Sequence, residues 1–149
     1  MAKDKKCALI TGAAGGIGVA LCERLTLEGW RLHLVDIDED RLEYLAKNLP
    51  DDTSFTQSRL VGPEACAEAL AGCGEEIMAL VHLAGIFLPH SLSPEDRDIF
   101  EQTLQHNAIN AWDMTAAVEA CMGDGGRIVY VSSLAFNRGA PDFASYSMA

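Results

Sequence analysis

Residues Thr11-Gly12-Ala13-Ala14-Gly15-Gly16-Ile17-Gly18 follow an apolar run, Cys7-Ala8-Leu9-Ile10, and open a helical pattern. Glycines let the backbone turn with positive φ and bring main-chain N–H groups against an anion; a helix start adds unpaired donors and the positive end of its dipole. The stretch is suited to cradling phosphate, the alternative being a flexible tight turn. Twenty-four residues after Gly12, Asp36 ends a second apolar run, Leu34-Val35-Asp36-Ile37. An acid there accepts hydrogen bonds from an adenosine ribose and repels a 2′-phosphate, which predicts NAD in preference to NADP. Asp36 stands close to Asp38 and Asp40 before a helical pattern, so a helix cap is the competing reading.

The elements that must position these groups follow from periodicity. Apolar, β-branched runs predict strands near residues 7–11, 31–36, 54–57, 78–83 and 127–132, with helical patterns between them, the signature of βα repeats and a parallel sheet covered on both faces. Gly16 to Glu28 places Ile17, Ala20, Leu21 and Leu25 on one face before Gly29 stops the helix. A second helix runs from Asp38 to Leu49 and ends at Pro50, and Pro63 opens a third to about Ala71. Ser93-Pro94-Glu95-Asp96 combines a cap, a first-position proline and first-turn acids, starting a helix that continues or restarts through Trp112 and Met114 to Met122. Gly123-Asp124-Gly125-Gly126 is expected to end it and turn the chain into the last strand.

Composition narrows the classes. At 149 residues, 49% hydrophobic and 22% charged, the chain is long enough for one core and too apolar for disorder. Its longest apolar stretch, Ile77 to Leu88, is interrupted by His82 and too short to span a bilayer. Met1-Ala2-Lys3-Asp4-Lys5-Lys6 runs directly into the first strand with no apolar leader, so a cytoplasmic protein is expected. Five cysteines, an odd number without paired metal-ligand spacing, predict buried thiols rather than disulfides or zinc. A net charge of −11 argues against nucleic acid and anionic membranes as partners.

The glycine run resembles the TGxxxGxG cofactor motif of the short-chain dehydrogenases/reductases of the ordinary single-domain type, and further resemblances follow in family order. His82-Leu83-Ala84-Gly85 is similar to the NNAG segment lining the cofactor pocket, Asn107 to the active-site asparagine, and Ser132-Ser133 to a serine pair ending the fifth strand. Ser133 stands thirteen residues before Tyr146, the family separation of catalytic serine and tyrosine. Taken singly, a strand-end serine is often a turn former, a tyrosine an amphipathic packing residue, and a helical asparagine a kink or boundary, a reading equally open to Asn110.

The resemblance implies a doubly wound, Rossmann-type α/β fold and hydride transfer between NAD(H) and an alcohol or ketone. Tyr146 would be the general acid/base, Ser133 would orient the substrate oxygen and Asn107 would hold a water in the proton relay. Thr11, Gly12, Gly15, Gly16, Ile17, Gly18, Asp36, Ile37, Leu83, Ala84, Gly85 and Tyr146 would contact the cofactor. A tyrosine, ordinarily of pKa about 10, needs a nearby positive charge to act as a base near neutrality. The family supplies it with a lysine four residues on, the position after Ala149. The chain is therefore expected to be a single NAD(P)-binding domain, C-terminally incomplete. Five strands of a seven-stranded family sheet, in the order 3-2-1-4-5, would bind cofactor with impaired catalysis. An exposed fifth-strand edge would follow.

Departures accompany the matches. Arg59 replaces an adenine-binding aspartate and could stack on the ring. His82 replaces the first asparagine of NNAG and is expected to be a buried histidine bonded to backbone. His33 and His106 are expected to be structural or exposed, with no metal site. The resemblance leaves the region from Phe87 to Leu92 and the loop from Leu134 to Asp142 to select substrate, and Leu134, Phe136 and Phe143 suggest an apolar pocket wall. The full-length protein is expected to form homo-oligomers through the helix after Asn107 and the helix beginning near Tyr146. A noncatalytic nucleotide-binding or interaction protein, and a methyltransferase binding S-adenosylmethionine, are the competing functions.

Overall fold

The computed structural model describes residues 5–74 and 76–149. Met1 to Asp4, part of the run from which a leaderless N-terminus is expected, lies outside them. Among the described residues, five parallel strands form one sheet in the order β3-β2-β1-β4-β5, the order expected from the sequence. They are β1 (Cys7–Thr11), β2 (Arg31–Asp36), β3 (Ser54–Gln57), β4 (Ile77–His82) and β5 (Met122–Tyr130).

Every residue of β1 is buried, Thr11 included, as befits a strand between two neighbours under helices on both faces. One core joins Leu9, Ile77, Leu80, Met114 and Val118; the other joins Ile10, Leu32, Leu34, Leu42 and Cys22 on the opposite face. Burying each such aliphatic side chain contributes roughly 1.5–3 kcal/mol.

The helices are α1 (Gly16–Leu27), α2 (Glu39–Lys47), α3 (Pro63–Glu68), α4 (Arg97–Leu104), α5 (Asn110–Glu119), α6 (Ala135–Arg138) and α7 (Ala144–Met148). In α1 the buried stripe is Gly18 and Cys22, whereas Ile17, 65% exposed, and Ala20 point outward. Leu21 and Leu25 of the expected face do pack against the core, but its first turn is displaced because Gly18 sits against the backbone of Gly12 and Ala13, an approach that any Cβ would forbid. The α3 helix stops three residues before Ala71 and hands over to turns. Pro94–Asp96 is a 3₁₀ turn capped by the Ser93 side chain, and α4 and α5 are joined through a π-helical turn at Gln105–Ile109.

The last strand also differs from its expected bounds. β5 begins at Met122, paired with Ile77, and the glycine run is absorbed as an irregularity before Arg127 pairs with Ala79. It ends at Tyr130, so Ser132 and Ser133 lie beyond it rather than at its last position.

Candidate active site

The first turn after β1 is shaped by backbone crowding. Gly12 has φ of +65°, and a Cβ there would lie 2.8 Å from the Ala84 nitrogen, so a side chain is excluded by both conformation and contact. Gly16 has open space where a Cβ would be, at the mouth of the turn. Gly15, the N-cap residue of α1, brings no side-chain cap, and the first helical amides, those of Gly16, Ile17 and Gly18, have no intrahelical acceptor. Unpaired donors, a helix dipole and an open gap are complementary to a phosphate or pyrophosphate.

Thr11 ties this turn to β4. Its buried Oγ1 accepts the N–H groups of Leu83 and Ala84, both at 3.1 Å, and donates to His82 Nδ1 at 3.0 Å. His82 is thus bonded to a side-chain hydroxyl, not to backbone as expected from the sequence. Burial lowers its pKa below the ordinary histidine value, against a smaller opposing contribution from the Asn110 side chain, so the ring is neutral at pH 7.

The competing readings of Asp36 separate here. Asp38 is the cap of α2, its Oδ1 accepting from Arg41 N at 3.0 Å. Asp36 instead accepts from Ala14 N at 2.9 Å through Oδ2 and from Ile37 N and Asp38 N through Oδ1, which points the carboxylate at the glycine turn. It lines a cavity of about 420 Å³ with Gly12, Ile37, Arg59, Leu83 and His106. An adenosine-sized group placed there would have a ribose acceptor at one wall and the Arg59 guanidinium at another.

Gly12, Gly15, Leu83, Ala84, Gly85 and Ile86 also border a second cavity of about 590 Å³. Asn107, Ser133 and Tyr146 line this one, so the three residues singled out from far-apart positions come to a single wall system. Asn107 is locked onto Ile86, its Oδ1 accepting from Ile86 N at 2.9 Å and its Nδ2 donating to Ile86 O at 3.0 Å. This clamp sits in the π-helical turn, and it needs Gly85, where a Cβ would strike Asn107 Oδ1. Ser133 Oγ accepts from Ala135 N at 3.2 Å, which leaves its proton available to another acceptor.

Tyr146 packs edge-on against Phe87, with centroids 4.7 Å apart, and Phe87 stacks on Phe143 at 3.9 Å. Ile86, Phe87, Tyr130, Phe136 and Met148 complete the wall. Their surface was anticipated at Phe136 and Phe87 but missed at Ile86; the signal was the unbroken apolar run after Gly85. Leu134, anticipated as part of that wall, is exposed, and neither it nor Phe143, also anticipated there, lines either cavity.

Other nucleophiles are poorly placed for chemistry. Burial pushes the thiol pKa of Cys22 up to about 12 and that of Cys66 up to about 11. Cys7 and Cys73 lie Sγ to Sγ at 3.3 Å as a thiol contact, and that hydrogen bond, with burial, raises Cys73 further. Thiols held above the neutral range are not nucleophiles at pH 7. His33 is structural, placed between Ser54 Oγ and the Ala69 carbonyl, each at 2.8 Å. Among the described residues no His, Cys, Asp or Glu cluster has metal-holding geometry, and no helix is long and apolar enough to cross a membrane.

Comparison with known proteins agrees with this arrangement. Residues 6–149 match the family described as short chain dehydrogenase. Galactitol 2-dehydrogenase (L-tagatose-forming) of Cereibacter sphaeroides is 32% identical, over 98% of this chain and 60% of that protein. D-threitol dehydrogenase of Mycolicibacterium smegmatis is 34% identical, over 89% and 54%. A short-chain dehydrogenase/reductase (glucose/ribitol dehydrogenase) from Brucella melitensis superposes with a TM-score of 0.86 at 26% identity, covering 96% of this chain and 60% of that one. The chain thus spans about 60% of the length of relatives that it matches almost from end to end, and it belongs to the short-chain dehydrogenase family of oxidoreductases.

Proposed function

We propose that the protein carrying this chain transfers a hydride between NAD(H) and a small alcohol or carbonyl compound. The observation that supports this best is the shared border of the two cavities: the glycine turn lines the same space as Ser133 and Tyr146. The residues expected to hold the dinucleotide are Thr11, Gly12, Gly15, Gly16, Ile17 and Gly18 at the phosphates, Asp36 and Ile37 at the ribose, and Leu83, Ala84 and Gly85 along the floor. When bound, NAD(H) supplies the hydride acceptor or donor.

The chain's own residues handle the proton. As a substrate alcohol is oxidised its hydroxyl proton passes to the Tyr146 phenolate oxygen, and in reduction the Tyr146 hydroxyl returns it. Ser133, whose lone pair is engaged by Ala135 N–H, donates to the substrate oxygen and fixes its direction. Asn107, bound through both amide atoms to Ile86, keeps the cavity wall in register and offers its remaining lone pair to a relay water. The names of the relatives, a galactitol and a threitol dehydrogenase, place alcohols of small molecules among the substrates to be tried first. Self-association of the full-length protein through α5 belongs to the same proposal.

Calorimetric titration with NAD, NADP and S-adenosylmethionine in parallel tests the reading. NAD is expected to bind tightest. Preference for NADP overturns the role given to Asp36, and binding of S-adenosylmethionine alone makes the chain a methyltransferase fold relative instead. Tyr146→Phe in the catalytically active protein should lower kcat by about 10²- to 10⁴-fold; NAD binding with no hydride transfer by the unmodified protein would leave a noncatalytic nucleotide-binding role.

A further inference from the structure

Helix α7, which carries Tyr146, lacks a cap of its own. Its N-cap residue is Phe143, which has no side-chain acceptor, yet the Ser145 amide in its first turn is buried. The acceptor comes from 55 residues away: Ser145 N donates to His90 Nε2 at 3.0 Å, and Ser145 Oγ lies 2.7 Å from the same nitrogen. An imidazole nitrogen that receives an N–H must carry a lone pair, so Nε2 is unprotonated and the ring proton resides on Nδ1. Nδ1 then donates to Ser91 O at 2.7 Å. Ser91 is held in turn by Asp96, whose Oδ2 accepts from Ser91 N and Ser91 Oγ, both at 2.7 Å. The His90 amide donates to Asp142 O at 2.7 Å, tying the approach to α7 to the same loop.

We infer that His90 is a positioning residue for Tyr146, supplying through Nε2 the acceptor that sets the first turn of α7 and so the place of the phenol in the 590 Å³ cavity. The inference rests on the reading of Tyr146 as the proton-transfer group. His90 touches neither cavity, and its effect is transmitted through Ser145, the residue before Tyr146.

Two spectroscopic readouts decide it without any assay of turnover. Nitrogen-15 shifts of His90 in the unmodified protein should report an Nδ1–H, Nε2-acceptor ring; an Nε2–H ring overturns the inference. With tyrosine labelled at Cζ, His90→Ala should move the Tyr146 resonance while leaving Tyr44 and Tyr130 in place, and His90→Gln, which can set an amide oxygen about where the Nε2 lone pair lies, should restore it. A Tyr146 signal indifferent to His90→Ala, or no better restored by Gln than by Ala, overturns it; if the alanine variant does not fold, the ring tautomer and the glutamine variant still decide. In the catalytically active protein His90→Ala should lower kcat by about 10- to 100-fold, the scale of a small misplacement of a reacting group, with cofactor affinity unchanged. That loss should vanish in a Tyr146→Phe background, and an additive loss overturns the inference. Full activity of Tyr146→Phe alone would instead refute the proton-transfer reading, with the resonances still reporting on the hold of His90 over α7.

Discussion

The two halves of the site are built on opposite principles. The cradle half consists of a fully buried strand, a glycine turn that tolerates no side chain at two positions, and a hydroxyl and a carboxylate that each satisfy several neighbours. The reaction half hangs on two helices of four and five residues, with Phe136 72% exposed and a long-range tether through His90. On the proposed function, a phosphate would be met by rigid backbone fixed at the centre of the sheet, whereas the proton-transfer group would be delivered by elements too short to be stable on their own. Binding and chemistry therefore fail in different ways when residues are changed.

The largest test of this contrast sets Gly12→Val against Phe136→Ala. Valine at position 12 faces a positive φ and a backbone contact at 2.8 Å, and should cost more than about 3 kcal/mol in denaturant unfolding and abolish NAD binding. Phe136→Ala removes an exposed ring and should stay within about 0.5 kcal/mol of the parent. Similar losses from both would break the distinction.

Next in size is Thr11→Val, which keeps shape and removes Oγ1. Leu83 N retains the Thr11 carbonyl at 3.1 Å, but Ala84 N and His82 Nδ1 lose the bonds they make to the hydroxyl, a cost of about 1–3 kcal/mol by chemical denaturation. Asp36→Asn should cost less in stability, since an amide oxygen still accepts two of the three bonds. It removes the charge that repels a 2′-phosphate, so the ratio of NAD to NADP affinity should fall by about 10-fold, roughly 1.4 kcal/mol in competitive titrations.

What was legible in the sequence was what local chemistry determines. The turn from β1 into α1 and the acid at the end of β2 are each specified by neighbours in the chain, and the sheet order follows from the family motifs in sequence. Features set by a distant partner were not legible. The start of β5 depends on its register with Ile77, which turned a glycine run read as a stop into part of a strand. The π-helical turn depends on the grip of Asn107 on Ile86, and the exposure of Ile17 on the contact of Gly18 with Gly12. His33 and His82 look alike as lone histidines in apolar runs, and only tertiary contacts show that each is held by hydroxyls from other strands.

Those two histidines give the smallest predicted effect and the one that separates the cradle from the rest of the fold by pH. Burial is the first cause lowering both pKa values; for His33 the Ala69 carbonyl opposes it and the Arg31 charge adds to it. The folded protein thus binds fewer protons than the unfolded chain below the ordinary histidine value of about 6.5, so stability declines as pH falls through that value and goes on declining until the folded-state value is passed. Each histidine contributes at most about 1.4 kcal/mol per pH unit to the slope. Urea unfolding at pH 7.5, 6.0 and 5.0 should show a shallower decline in His82→Asn, whose amide oxygen can accept from Thr11 without titrating, and in His33→Gln. His82 adjoins the cradle, so NAD affinity in the parent should weaken only below that interval, where the folded-state ring itself takes up a proton, and should stay level in His82→Asn, whereas His33→Gln, under α3 and away from both cavities, should flatten stability alone. An NAD affinity in His82→Asn that still followed pH as in the parent would remove His82 from the support of the cradle.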